Sequence, residues 1–197
     1  MKKKSLALVL ALAMIVVCVV GGTLAWLTAT TPEVKNTFTY GDINIKLEET
    51  GATVAADGSA TKEFKMIPGY TITKDPKVTV LAGSEKCYLF VKVAESDNFD
   101  DFMTYDMAAG WTALTGVNGV YYRVVETSTA DQPFYVLAGN KVTVNDTVTK
   151  ADMDGLKANV ATQPTLTFTA YACQYNNSND TNFGPAQAWA KVNPTTA

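Results

Sequence analysis

Four carboxylates, Asp97, Asp100, Asp101 and Asp106, fall within ten residues and form the densest acidic group of the chain. A group like this could hydrolyse a glycoside or hold calcium. Glycoside hydrolysis needs two carboxyls at a defined separation across a cleft, and a calcium loop of the EF type needs ligands at alternating positions, a central Gly and a terminal Glu. The stretch "SDNFDDFMTYDM" has neither pattern. Its acids fit better as solvated charges in the first turn of a short helix, where they favour the positive end of the dipole.

Histidine is absent from all 197 residues. That removes Ser-His-Asp and Cys-His catalysis, the H-E-x-x-H zinc helix and every His-bearing metal cluster. "GSEKC" lacks the spacing and the Ser/Thr of a phosphate loop, and no G-x-G-x-x-G follows a strand. Tyr121, Tyr122, Tyr135, Trp111 and Trp189 could stack on a sugar. Strands favour aromatic residues in any case, and alternation assigns most of these to packing. The expectation is a protein that is not an enzyme and carries no cofactor or metal.

Cys18, Cys87 and Cys173 are the three cysteines. Cys18 lies within an apolar N-terminal run. Cys87 and Cys173 sit in strand-like runs, and an oxidising compartment would permit a disulfide between them. Two separate buried thiols are the plainer reading, with the disulfide kept as the alternative.

Lys2, Lys3 and Lys4 precede an unbroken apolar core from Leu6 to Val20, then Gly21-Gly22 and small residues. This is the pattern of a cleaved export signal. Gly21, Gly22 and Thr23 interrupt the run before it reaches bilayer length, and no basic stop-transfer flank follows. Small residues place cleavage after Ala25 in preference to Ala29, so the mature chain begins at Trp26. Removing residues 1–25 takes the formal charge from −3 to −6. That charge disfavours nucleic acid or anionic lipid as a partner, and leaves membrane contact only through an uncleaved signal.

The elements that would position any site are mostly strands. In "GDINIKLEE", Ile43, Ile45 and Leu47 alternate with Asn44, Lys46 and Glu48, the signature of a half-buried strand. "TGATVAADGSA" is a polar loop with a turn at Asp57-Gly58. "KEFKMIPGYTITKDPKVTV" predicts a strand, a Pro68-Gly69 turn and a second extended run, with Pro76 marking an edge or a bend. "CYLFVKVAE" is apolar on both faces and belongs at the centre of a sheet. After Ser96 or Asp97 as cap, Phe99, Phe102, Met103 and Met107 make one helical stripe. "GVYYRVVE", "PFYVLA", "KVTVN" and "TLTFTAYACQY" resume the strand pattern. Two brief helices are expected, one capped at Thr149 and one with Pro185 in its first turn. Eight or nine strands with few helical insertions, and no strand-helix-strand rhythm, predict an all-β, antiparallel β-sandwich over residues 41–197.

Taken in order, "GGTLAWLT", "NTFTYGDINIKLEE", "KMIPGYTITKDPKVTV", "CYLFVKVAE", "VYYRVV" and "LTFTAYACQ" resemble the TasA/camelysin family. These are exported proteins of Gram-positive bacteria whose signals are processed by the dedicated peptidase SipW. The likeness covers nearly the whole chain, and it rests on the combination of G-G-T-x-A with N-T-F-x-x-G-x-(I/L)-x-(I/L). It implies a jelly-roll-like fold, secretion to the extracellular matrix or cell surface, and a role as subunit of biofilm-matrix fibres, with minor fibre or anchoring proteins as further partners. It also implies that the N-terminal segment, residues 26–40, leaves its own domain and adds as a strand to the next subunit. In "EVKNTFTY", Val34, Phe38 and Tyr40 share the face that could anchor such a strand, with Asn36 among them. Cleavage between Ala25 and Trp26 agrees with SipW processing. The peptidase label given to camelysin finds no zinc ligands here. Competing expectations are a monomeric surface binding module, marked by exposed aromatics on one sheet, and a hydrolase built on Asp97 to Asp106.

Overall fold

The computed structural model describes residues 41–176 and 182–193, within a compact unit spanning Tyr40–Ala197. The expected export signal, its expected cleavage point between Ala25 and Trp26, and the segment with Val34, Phe38 and Tyr40 lie outside the described residues. The strands are β1 (Ile45–Glu48), β2 (Thr53–Val54), β3 (Ala60–Thr61), β4 (Thr71–Thr73), β5 (Lys77–Val80), β6 (Cys87–Glu95), β7 (Met103–Thr104), β8 (Thr112–Ala113), β9 (Val120–Val125), β10 (Gln132–Tyr135), β11 (Lys141–Val144) and β12 (Leu166–Gln174). Three helices accompany them: α1 (Phe99–Phe102), α2 (Lys150–Ala158) and α3 (Pro185–Val192). The chain is therefore predominantly β, with few short helices. Four of the twelve strands have two residues each, too short to leave a periodicity, which accounts for the smaller number expected.

Every pairing between these strands is antiparallel. Three sheets run in the orders β1-β5-β10, β4-β11-β7 and β12-β6-β9-β8, beside a β2-β3 hairpin. As expected of a run apolar on both faces, β6 is flanked on both sides. Its Cys87, Leu89, Val91 and Val93 enter the main core together with Val78 and Val80 of β5 and Val142 and Val144 of β11. Its Tyr88 and Phe90 point the other way, into a second cluster that α3 covers with Ala188 and Trp189. Two rows of large side chains on one nine-residue strand make β6 the spine of the molecule.

Pro76 sits at a bend between β4 and β5, which belong to different sheets. β5 is not an edge: it pairs with both β1 and β10. The missing N–H costs nothing here, and the Pro76 carbonyl accepts from Val136 N at 2.9 Å. The strand expected in "KEFKMI" does not form a ladder. Lys62, Phe64 and Met66 alternate inward, but no neighbour pairs with them among the described residues, so the periodicity there reports burial without a sheet.

The helical stripe ends early. Phe99 and Phe102 belong to α1, whereas Met103 enters β7 and Met107 forms a bridge with Leu137. The cap position is Asn98, without a side-chain cap bond, instead of Ser96 or Asp97. α2 begins as expected, with a reciprocal capping box between Thr149 and Asp152, and Pro185 opens α3.

Candidate functional site

Asp97, Asp100, Asp101 and Asp106 are all solvent-exposed, and no group of three or more potential metal ligands gathers among the described residues. Asp100 and Asp101 occupy the first turn of α1. Of the aromatics considered for stacking, Trp111 and Trp189 are buried and Tyr121 and Tyr122 half-buried. Tyr135 on β10 and Tyr70 ahead of β4 are exposed, in separate sheets, so they make no common platform.

Cys87 and Cys173 do not form the disulfide considered above: both are free thiols. Register explains it. Cys87 stands opposite Gln174, and Cys173 opposite Tyr88, so the two cysteines are one step out of register and project to opposite faces of the sheet. Burial pushes the Cys87 thiol up to about 11 and raises that of Cys173 as well, which makes both poor nucleophiles.

The arrangement with functional content lies in the sheet edges. In an antiparallel ladder, alternate residues point their N–H and C=O toward or away from the partner. Tyr175 N donates to Lys86 O and Ser96 N to Thr165 O, which fixes the phase on β12. Leu166, Phe168, Ala170 and Ala172 therefore turn their backbone polar groups away from β6. No strand pairs with that side of β12 among the described residues. The bond from Leu81 N to Asn44 O fixes β1 in the same way, leaving Ile45 and Leu47 directed away from β5. β1 and β12 approach within 8 Å, Cα to Cα, yet do not pair. Inward side chains on these two strands are only half-buried, whereas Val78, Val80, Leu89 and Val91 on the strands behind them are fully buried.

One end of this flank is closed by an ion pair. Lys74 Nζ lies 2.9 Å from Glu49 Oε2, with side-chain exposures of 12% and 14%. The ammonium also stands 5.3 Å from each of the Phe64 and Phe168 ring centroids. Glu49 Oε1 is buried without a hydrogen-bond partner, so the carboxylate depends on Lys74 for its stabilisation.

The opposite flank is finished differently. The bond from Val136 N to Pro76 O sets the phase on β10, so Pro133 and Tyr135 face outward. Pro133 has no N–H to offer, and the Tyr135 carbonyl accepts from Trp111 Nε1 at 2.9 Å. Behind them Arg123, facing the main core from β9, lays its guanidinium 4.0 Å from the Phe134 ring centroid and 5.4 Å from that of Trp111. It has no carboxylate partner among the described residues, and its Nε is buried and unbonded. Burial lowers its pKa, without bringing it near neutrality. An inward Arg within the strand-like "VYYRVV" is detectable by counting alternate residues, whereas its ring partners are not.

Comparison with family models, curated proteins and solved structures gives no match.

Proposed function

We propose that this chain is a secreted structural protein, the subunit of an extracellular biofilm-matrix fibre, with its sheets arranged as a jelly-roll-like β-sandwich. A SipW-type signal peptidase releases it between Ala25 and Trp26. Residues 26–40 then leave the domain and join the next subunit as an added strand, with Val34, Phe38 and Tyr40 as the anchoring face. Subunits added this way pair head to tail, and because the operation does not close, the product is a filament rather than a ring. Minor fibre or anchoring proteins could use the same joint.

The observation that carries this reading is the long edge of β12, beside that of β1, neither of which pairs with a further strand on its outer side among the described residues. Unpaired strand edges are templates for another chain, and proteins that remain monomeric commonly blunt them. The resemblance to the TasA/camelysin family points the same way. Electron microscopy and sedimentation of protein beginning at Trp26, beside protein beginning at Gly41, test it. The first is expected to give filaments and the second only monomers. Monomers from both, across time and concentration, would refute strand donation.

A further inference from the structure

Of the sixteen basic residues in the sequence, fifteen are lysine and one, Arg123, is arginine. Lysine serves wherever a solvated point charge is enough. Arginine differs in carrying a planar fork of donors, which keeps its charge when buried and matches a carboxylate with two parallel bonds. The single arginine is half-buried on β9, between Tyr121 and Val125, which enter the main core. It forms no ion pair and donates no hydrogen bond among the described residues. The buried lysine, Lys74, has its carboxylate; the arginine has none.

The surroundings hold this guanidinium without satisfying it. Thr112 of β8 pairs with Tyr122, so Trp111, one residue earlier, comes alongside Arg123. The Trp111 ring centroid lies 5.4 Å from Cζ, and its indole N–H donates to Tyr135 O at 2.9 Å, which fixes the ring. Phe134 of β10, in another sheet, places its ring centroid 4.0 Å from Cζ. Two anchored rings orient the fork before a ligand arrives, and such preorganisation lowers the cost of binding. Gly110 keeps the space beside the terminal amines free of a side chain, because a Cβ there would stand 3.0 Å from Nη2 and 3.4 Å from Nη1. Nε is shut away from water, whereas Nη1 and Nη2 are not. The open side of the fork is therefore its end.

The same features select the ligand. A planar anion matches two parallel N–H donors. The chain is acidic, at −3 over its full length, so each further negative charge on a ligand adds repulsion, and a singly charged group is favoured over a dianion. We infer that Arg123 is a binding site for a small ligand presenting one carboxylate, held end-on by Nη1 and Nη2. This inference does not depend on the fibre reading.

Sodium acetate is the probe, added at constant ionic strength to the isotope-labelled mature chain from Trp26 and followed by NMR. With one arginine present, the Arg123 Nε–H gives a single signal of its kind, and the Trp111 indole N–H, assigned with Trp111→Phe, reports from the ring beside it. Both signals are expected to shift saturably with acetate. Arg123→Lys keeps the charge and loses the fork, and its Trp111 signal should need about tenfold more acetate for the same shift. Sodium sulfate on the native protein should be weaker than acetate by about the same factor. No saturable shift with acetate would overturn the site, and equal half-saturation in Arg123→Lys would overturn the role of the fork. Sulfate acting as strongly as acetate would overturn the carboxylate. If Arg123→Lys does not fold, the comparison of acetate with sulfate on native protein decides.

Discussion

The flank formed by β1 and β12 and the flank formed by β10 and β8 border the same core, yet they treat their outward backbone groups in opposite ways. On the β10 side, Pro133 withholds a donor and the Trp111 indole occupies the Tyr135 carbonyl, while β8 is only two residues long. Each is a recognised means of preventing edge-to-edge pairing. On the β12 side the Lys74–Glu49 pair closes one end, but no proline or side-chain hydrogen bond occupies the outward groups of Ala170 and Ala172 among the described residues, and the edge is longer. Among the described residues, then, one flank carries side chains that occupy or withhold its outward backbone groups, and the other leaves its outward groups without a strand partner.

The buried cations sharpen the same contrast. Lys74 on the β12 side is tied to a carboxylate that has no other partner, whereas Arg123 on the β10 side rests on aromatic rings alone. Removing one member of a buried pair leaves an uncompensated charge, and removing an unpaired one does not. Lys74→Met should therefore give the largest loss, about 3 kcal/mol, read as a lowered urea midpoint, and adding Glu49→Leu should recover most of it. A loss below about 1 kcal/mol would mean that Glu49 finds water in place of Lys74.

Trp111→Phe tests the blunted flank. It keeps the ring under Arg123 but deletes the bond to Tyr135, and the expected cost is about 1 kcal/mol. Opening that carbonyl should not redirect assembly, because Pro133 still lacks a donor. Arg123→Met should be smaller again, within about 1 kcal/mol of neutral in either direction, since packing is retained and the orphaned Nε is removed. A loss comparable to that of Lys74→Met would show that Arg123 has a partner of its own and would erase the distinction between the flanks.

The smallest expected signal is chemical. With Cys87 pushed up to about 11 by burial and Cys173 also raised, native protein at pH 8 should react with a disulfide reagent far more slowly than unfolded protein, which should titrate two thiols in the mature chain. Rapid native reaction at either site would mean that the sheet opens at the Cys87 end of β6.

Much of the fold is legible in the residues themselves. The two-faced apolar run of β6, the Thr149 cap, Pro185 at the start of α3 and the bend at Pro76 each follow from local chemistry. What is not legible depends on partners far along the chain. The alternation of Lys62, Phe64 and Met66 reads as a strand, and only the lack of a pairing neighbour among the described residues shows otherwise. Met103 has the spacing of a helix and the pairing of a strand because Val144 lies opposite it. Cys87 and Cys173 look joinable until a one-residue register sends them to opposite faces. The ion pair of Glu49 with Lys74 spans 25 positions, and no spacing rule announces it. The outer edge of β12 belongs to this second kind. "TLTFTAYACQY" declares a strand, but only the sheet order shows that one of its sides has no strand partner among the described residues.

If, as proposed, one copy offers residues 26–40 and another accepts them, a chain lacking that segment can accept without donating. Protein beginning at Gly41 should then act as a terminator when mixed with protein beginning at Trp26. Filament length measured by electron microscopy against the mixing ratio is the most direct test. Mean length should fall steadily as the shortened chain is added, with one shortened copy at the end of each filament. Lengths that stay constant while the shortened chain remains monomeric would contradict strand donation.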